Sequence, residues 1–253
     1  MERECIATSK VHEIVVLATP PDTAKAAVQS ILQEVIKYPH IRITHATGET
    51  MIPLSDALRA MGAKFEEIEA FHLDEYYPYA PTGRFSFVRF LFERFFTPLG
   101  VKLDNIYTLN GLAENASVEA IRYEDLLAKR KVGLAILGIG PGGHVGFNEI
   151  GTPLDSRTHL QQLSKETIYR DRVERHQDTP QTALTQGIGN ILEAERIILI
   201  AYGPAKGKIL NQALSGEVCT DCPASALRKV GAKVSIFIDK EAAEEVKLGK
   251  EAV

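Results

Sequence analysis

Apolar runs of strand length alternate with amphipathic helical patterns along almost the whole chain, and no other feature restricts the fold as strongly. A strand over 13–18 is followed by Asp22, a candidate helix cap. Beyond it Ala24, Ala27, Val28, Ile31, Leu32, Val35 and Ile36 recur at the spacing of one buried helical face. A short strand over 41–45, a turn at 47–49 and a helix around 54–61 come next. Further strands are predicted over 67–73, 105–109, 132–137, 196–202 and 233–238, with helical patterns between most of them. This order predicts an α/β fold with an open, mostly parallel, Rossmann-like sheet covered by helices on both faces. No repeat, low-complexity tract or linker interrupts the 253 residues, so one domain over 1–253 is expected.

Composition narrows the function classes. With 45% hydrophobic and 25% charged residues the chain reads as globular rather than disordered. A net charge of −4 supplies no positive field for a polyanion, so no nucleic-acid partner is expected. No apolar stretch approaches the ~20 residues of a membrane span, and the polar opening segment 1–10 does not resemble a secretory signal. The expected compartment is the cytoplasm, with no membrane partner. Three cysteines give no disulfide framework. Cys219 and Cys222 form a CxxC that lacks the strand-to-helix setting of a redox site and the further ligands of a zinc site, and read as ordinary thiols before Pro223. HExxH and GxSxG are absent, and no metal site is expected.

In open parallel sheets ligands bind beyond the carboxyl ends of the strands, which directs attention to four loops. They are Ala46-Thr47-Gly48-Glu49-Thr50, Asp74-Glu75-Tyr76-Tyr77, the run from Gly138 to His144, and Gly203-Pro204-Ala205-Lys206. Gly138, Gly140 and Gly143 satisfy GxGxxG, but Pro141 and the following polar loop do not open the helix a dinucleotide site requires. Gly203 to Lys208 is one residue short of a P-loop, and Ile209 replaces its hydroxyl residue. Backbone N–H groups and two hydroxyls in the 47–50 turn suit a phosphate, or simply cap a helix. Lys206 is either a phosphate cation or a solvated lysine. Asp74 and Glu75 point to opposite sides of an extended strand, so only one can face a cleft as a general base. His144 followed by Glu149 fits a proton-transfer pair or a structural histidine.

In order along the chain, these loops resemble the glucosamine-6-phosphate deaminase/isomerase family and its relative, 6-phosphogluconolactonase. The likeness covers about 41–243 and includes Leu73-Asp74-Glu75-Tyr76, Gly138 to Glu149, Ala183 to Gly189, Gly203 to Lys206 and Pro223-Ala224-Ser225. It implies a cofactor-free enzyme acting on a small sugar phosphate, for which a homo-oligomer is allowed. His144, positioned by Glu149, is expected to assist ring opening of an amino-sugar phosphate, and Asp74 to move the C2 proton as ammonia leaves. Thr47, Gly48, Glu49, Thr50, Gly140, Gly143, Lys206 and an arginine, Arg172 from the Arg170, Arg172 and Arg175 group, are the expected substrate and phosphate contacts. Tyr76 together with Phe147-Asn148-Glu149 favours the deaminase branch over the lactonase. Gly142 stands where the family usually carries a relay Asp, a difference that related galactosamine-6-phosphate enzymes tolerate. Glu49 replaces a residue that is usually small. His159 and Gln161 replace the basic residues of allosteric members, so no allosteric activation of that kind is expected. A sugar-phosphate sensor on the same fold is the alternative of another class, but it normally carries a helix-turn-helix that the segment before Ile41 cannot hold.

Overall fold

The computed structural model describes residues 4–8, 11–174 and 176–246. Its strands are β1 (Glu4–Thr8), β2 (Val11–Leu17), β3 (Arg42–His45), β4 (Glu69–His72), β5 (Asp74–Tyr77), β6 (Ile106–Tyr107), β7 (Leu134–Leu137), β8 (His159–Gln162), β9 (Thr182–Thr185), β10 (Arg196–Ala201) and β11 (Val234–Asp239). Eight of them form a sheet in the order β1-β2-β11-β10-β7-β3-β4-β6. Only β1 runs antiparallel to its neighbour, and the other seven strands are parallel. Every residue of β3, β7 and β11 is buried, as expected for parallel strands covered on both faces. Of these, β7 reads as an unbroken apolar run, while β3 carries Arg42 and His45 and β11 carries Ser235 and Asp239 among apolar or β-branched residues; the seven predicted strands all correspond to strands of this sheet.

The helix Pro20–Lys37 buries Ala24, Ala27, Val28 and Ile31, while Leu32 and Val35 are half-buried and Ile36 is exposed at 77%. The predicted face thus ends about one turn early, because the helix outruns the sheet it covers. Its cap is Thr19, not Asp22. Pro20 and Pro21 fill the first turn, where missing N–H groups cost nothing, and the Thr19 hydroxyl donates to Asp22 Oδ2 at 2.8 Å. Among the described residues no helix is long and apolar enough to cross a membrane.

A second, three-stranded antiparallel sheet in the order β5-β9-β8 departs from the prediction. The chain leaves the main sheet after β4 and immediately starts β5 at Asp74, so Asp74 and Glu75 begin a strand of this small sheet rather than end one of the large sheet. The Gln186 N–H donates to the Leu73 carbonyl at 2.9 Å, which ties β9 to the junction.

In the main sheet the chain runs outward from β3 to β4 and β6, then returns to place β7 on the other side of β3 before continuing to β10. This reversal makes β3 and β7 the topological switch point, where their carboxyl ends diverge and leave a crevice.

Two histidines close the core just beneath this crevice. His45 and His72 are register partners at the ends of β3 and β4 and are almost completely buried. Burial pushes His45 down to about 4, against a smaller opposing effect from the Ala46 carbonyl. Burial alone pushes His72 down to about 3. The unfolded chain takes up these protons near the ordinary value of 6.5, whereas the folded chain resists them until well below it. Their contribution to stability is complete above that value and is lost as pH falls through the window, by about 2 kcal/mol for each histidine between roughly pH 6.5 and 5. Urea unfolding is expected to show this drop, and His72→Leu to remove about half of its slope. An unchanged slope in the variant would show that His72 takes up its proton in the fold as readily as in the unfolded chain.

Candidate active site

A cavity of about 570 Å³ opens at the switch point. Its wall draws on the carboxyl-end segments of β3, β4, β7 and β10, the four singled out from the sequence. Thr47, Gly48, Glu49 and Thr50 all line it. The Ala46 N–H donates to the Ile136 carbonyl at 2.9 Å, fixing the turn to β7. Gly48 adopts a left-handed φ of 97°, and the helix Met51–Ala60 begins directly afterwards without a side-chain cap from Thr50. The positive end of a ten-residue helix thus meets the cavity wall beside two threonine hydroxyls. Glu49 is exposed at the rim.

Lys206 reaches the wall from a single turn, Pro204–Lys206, that precedes the helix Gly207–Ser215. It therefore stands at the entrance of that helix, not within it, and its ammonium donates to the Ile139 carbonyl at 2.8 Å. A second cation, Arg170, lines the cavity from a π-helical turn, Arg170–Glu174. Arg172 was the expected arginine, and it does not line the cavity. Its guanidinium is turned onto the Thr179 carbonyl, with Nε at 3.0 Å, because the two side chains leave the π-helical turn in different directions. Arg175 lies outside the described residues. Asp171 takes a 2.8 Å hydrogen bond from the Tyr76 hydroxyl and sits 3.4 Å from Arg170, anchoring the Arg170 turn to β5.

Asp74 lines the cavity and is only 5% exposed. Its Oδ1 is buried without a hydrogen-bond partner among the described residues. Burial, with a smaller effect from Glu75, holds its carboxyl well above the usual carboxylate range. Glu75 points away, as the alternation of a strand requires. It accepts hydrogen bonds from Ser86 Oγ at 2.7 Å, Phe87 N at 3.1 Å and Val88 N at 3.0 Å, and so caps the next helical segment. Of the two adjacent carboxylates, one faces the cavity and the other builds its wall.

Gly140 is extended, at φ −90°, and leads into a single turn, Pro141–Gly143, that ends at His144. The His144 ring lies over Gly140 so closely that a Cβ on Gly140 would fall 1.7 Å from Nε2. His144 lines the cavity, and its Nδ1 stands 3.6 Å from Glu149 Oε2. Burial raises the Glu149 carboxyl, but the neighbouring His144 and a 2.6 Å hydrogen bond from Thr167 Oγ1 outweigh it and hold the group below its usual value. A carboxylate is thereby kept ionised behind the imidazole.

Gly143, expected at the substrate, is not on the wall. It packs against the buried Cys222, whose Sγ would be 2.5 Å from a Cβ on Gly143. Burial pushes the Cys222 thiol up, which suits packing rather than redox chemistry. Gly142 also lies off the wall, at φ 70° with Ile150 beside it. Among the described residues no cluster of three or more His, Cys, Asp or Glu could hold a metal ion.

Sequence reasoning missed Arg84, Phe85, Phe87, Phe90, Gln177 and Tyr202 on the wall. Phe87 is stacked on Phe147 at 5.4 Å, and both pack against Tyr76 at 4.9 and 5.2 Å. The run of phenylalanines after Arg84 was the available signal, but its loop precedes no strand of the main sheet. The cavity thus brings together a buried carboxyl, an imidazole backed by a carboxylate, and a cationic, hydroxyl-bearing subsite: groups for proton transfer on an anionic polyol.

Residues 17–236 match the family model for glucosamine-6-phosphate isomerases/6-phosphogluconolactonase. The glucosamine-6-phosphate deaminase of Bacillus cytotoxicus is 37% identical over 199 residues, covering 78% of this chain and 75% of the relative. That of Thermoanaerobacter pseudethanolicus is 31% identical over 238 residues, covering 91% and 94%. Among solved structures, a monomeric glucosamine-6-phosphate deaminase superposes with a TM-score of 0.85 at 31% identity, covering 92% of this chain and 99% of its own. The 6-phosphogluconolactonase of Trypanosoma brucei shares the fold, with a TM-score of 0.74 at 19% identity over 92% of this chain and 98% of its own.

Proposed function

This chain belongs to the glucosamine-6-phosphate isomerase/6-phosphogluconolactonase family, and from that footing we propose that it converts a 2-amino-2-deoxyhexose 6-phosphate and water to the ketose 6-phosphate and ammonia. The observation that carries this reading is a single cavity holding both a buried, unpartnered Asp74 and a His144 backed by Glu149, beside the 47–50 turn, Lys206 and Arg170.

The phosphate is held by the Thr47 and Thr50 hydroxyls, backbone N–H groups of the turn around Gly48, Lys206 and Arg170. The imidazole of His144 moves the proton between the ring oxygen and the C1 hydroxyl, opening the ring to the aldehyde, and Glu149 stabilises the imidazolium. Asp74 then takes the C2 proton and returns it to C1, while His144 relays one proton from the C2 amino group to the C1 oxygen, which leaves a hydroxyl at C1 and an imine at C2. Water hydrolyses that imine, releasing ammonia and the ketone. Burial serves Asp74 here, because a carboxylate with a raised pKa is a stronger base once it is ionised. With Gly142 off the wall, no second carboxylate from that position joins the relay, and the imidazole with Glu149 carries ring opening alone.

Glucosamine 6-phosphate is the first substrate by likeness to the relatives, and galactosamine 6-phosphate the second, since the family resemblance pairs it with a non-Asp residue at Gly142. The test is ammonia release from both sugars in parallel, with 6-phosphogluconolactone hydrolysis as the control. Release from either sugar is the expected result and names the epimer. Lactone hydrolysis alone would move the chain to the lactonase branch, and silence on all three to the sugar-phosphate sensor. The chain is expected to act in the cytoplasm, and its oligomeric state follows from sedimentation of the same preparation.

A further inference from the structure

Three polar atoms on the cavity residues are buried and lack a hydrogen-bond partner among the described residues: Asp74 Oδ1, His144 Nδ1 and the Tyr202 hydroxyl. Buried polar groups are nearly always paired, so an unpaired one on a cavity wall marks a place where a ligand completes the bond. Asp74 is already explained by proton transfer, and His144 Nδ1 faces Glu149 Oε2 at 3.6 Å. Tyr202 has no such account, and its ring is otherwise packed against the hydrophobic core.

The position of Tyr202 is rigidly set. It follows β10 and precedes Gly203, whose left-handed φ of 81° turns the chain and whose N–H donates to Asp239 Oδ1 at 3.0 Å. Asp239 is itself buried and also accepts from the Ala242 N–H at 2.9 Å, so the turn is clamped to the end of β11. Lys206 lies one turn further on the same segment and reaches the same wall. In the sheet order β10-β7-β3-β4, three strand intervals separate the end of β10 from the end of β4, where Asp74 stands. At 4.7–4.9 Å per interval that is about 14 Å, so Tyr202 belongs to the Lys206 end of the cavity and not to the end with the base.

We propose that the Tyr202 hydroxyl is a further substrate-binding group, donating a hydrogen bond to the phosphoryl oxygens held by Lys206. The inference rests on the phosphate subsite of the proposed function. A phenol at this place suits an anion, since burial, reinforced by Asp239, holds its proton on. It is a donor throughout the neutral range, and a neutral donor beside Lys206 adds direction to a charge that by itself has none.

Tyr202→Phe removes only the oxygen. Calorimetric titration with inorganic phosphate is expected to show about 10-fold weaker binding, as for loss of a hydrogen bond to a charged group. The KM for the amino-sugar phosphate should rise by a similar factor, with kcat within about 2-fold. The thermal midpoint should equal or exceed that of the wild type, because no protein partner is lost. Unchanged phosphate affinity, a lowered midpoint, or a fall in kcat at constant KM would each overturn the assignment, as would a wild type that binds no phosphate. The phosphate titration does not depend on turnover. A wild type that binds phosphate but releases no ammonia would sink the proposed reaction and leave the Tyr202 comparison intact.

Discussion

Asp74→Asn is expected to lower ammonia release by roughly 10² to 10⁴-fold, the usual contribution of a general base, with inorganic phosphate bound as in the wild type. The fold should not suffer. Asp74 has a folded-state pKa raised by burial, so its stabilising contribution is complete below the ordinary value of 3.8 and is lost as pH rises through the raised value. At neutral pH the ionised form works against folding, and an uncharged amide of the same shape removes that opposition. Thermal unfolding should therefore place the variant level with the wild type or above it. The same raised pKa governs the rate. A base must be ionised, so the wild-type kcat should fall with decreasing pH along an acid limb lying above the ordinary carboxylate range, and that limb should be missing from the residual activity of the variant. Full turnover in Asp74→Asn would remove this carboxyl from the mechanism, and a lowered midpoint would show that its oxygens pair within the protein.

The contrast between Asp74 and its neighbours shows how much of this site a sequence can carry. Strands of the main sheet are legible because both faces are buried, so runs such as Leu134–Leu137 and Arg196–Ala201 are apolar almost without interruption. The loops at their ends are then located by topology, and with them Thr47, Asp74, His144 and Lys206. The small sheet is not legible. Asp74–Tyr77 opens with two acidic residues, which strands usually avoid, and His159–Gln162 alternates between half-buried and exposed positions with three polar residues of four. Its pairing is decided by what it packs on. Arg170 and Arg172 illustrate a different loss. Two residues apart, they diverge on a π-helical turn whose side-chain directions follow neither the helix nor the strand period, so spacing could not say which one faces the ligand. Tyr202 was visible as a large polar aromatic at the end of an apolar strand, but a motif search looks past it to the glycine and lysine that follow.

Gly140→Ala is expected to be the most damaging of the conservative changes in the loop after β7, although the backbone accepts alanine there without strain. Gly140 is extended, at φ −90° and ψ 174°, a conformation open to any residue. What alanine cannot have is the space. Its Cβ would lie 1.7 Å from Nε2, 2.1 Å from Cδ2 and 2.5 Å from Cε1 of His144. Because the imidazole is the free end of a side chain, it will swing aside while the chain keeps its path. The ring then leaves its 3.6 Å approach to Glu149 and its place on the cavity wall. A displacement of about 1 Å can cost about 10² in rate, so turnover of the ring-closed sugar should fall by at least that factor. The loss should be smaller on an open-chain analogue, since Asp74 is untouched, and thermal stability should hold or rise slightly as the unfolded chain loses glycine's freedom. Gly142→Ala supplies the opposite signature. That position has φ 70° and lies off the wall, so alanine there should cost about 1 to 2 kcal/mol of stability and little activity. Together the two variants separate a glycine needed by the chain from a glycine needed by the imidazole. Wild-type turnover in Gly140→Ala would mean that ring opening does not use His144 in the position it occupies.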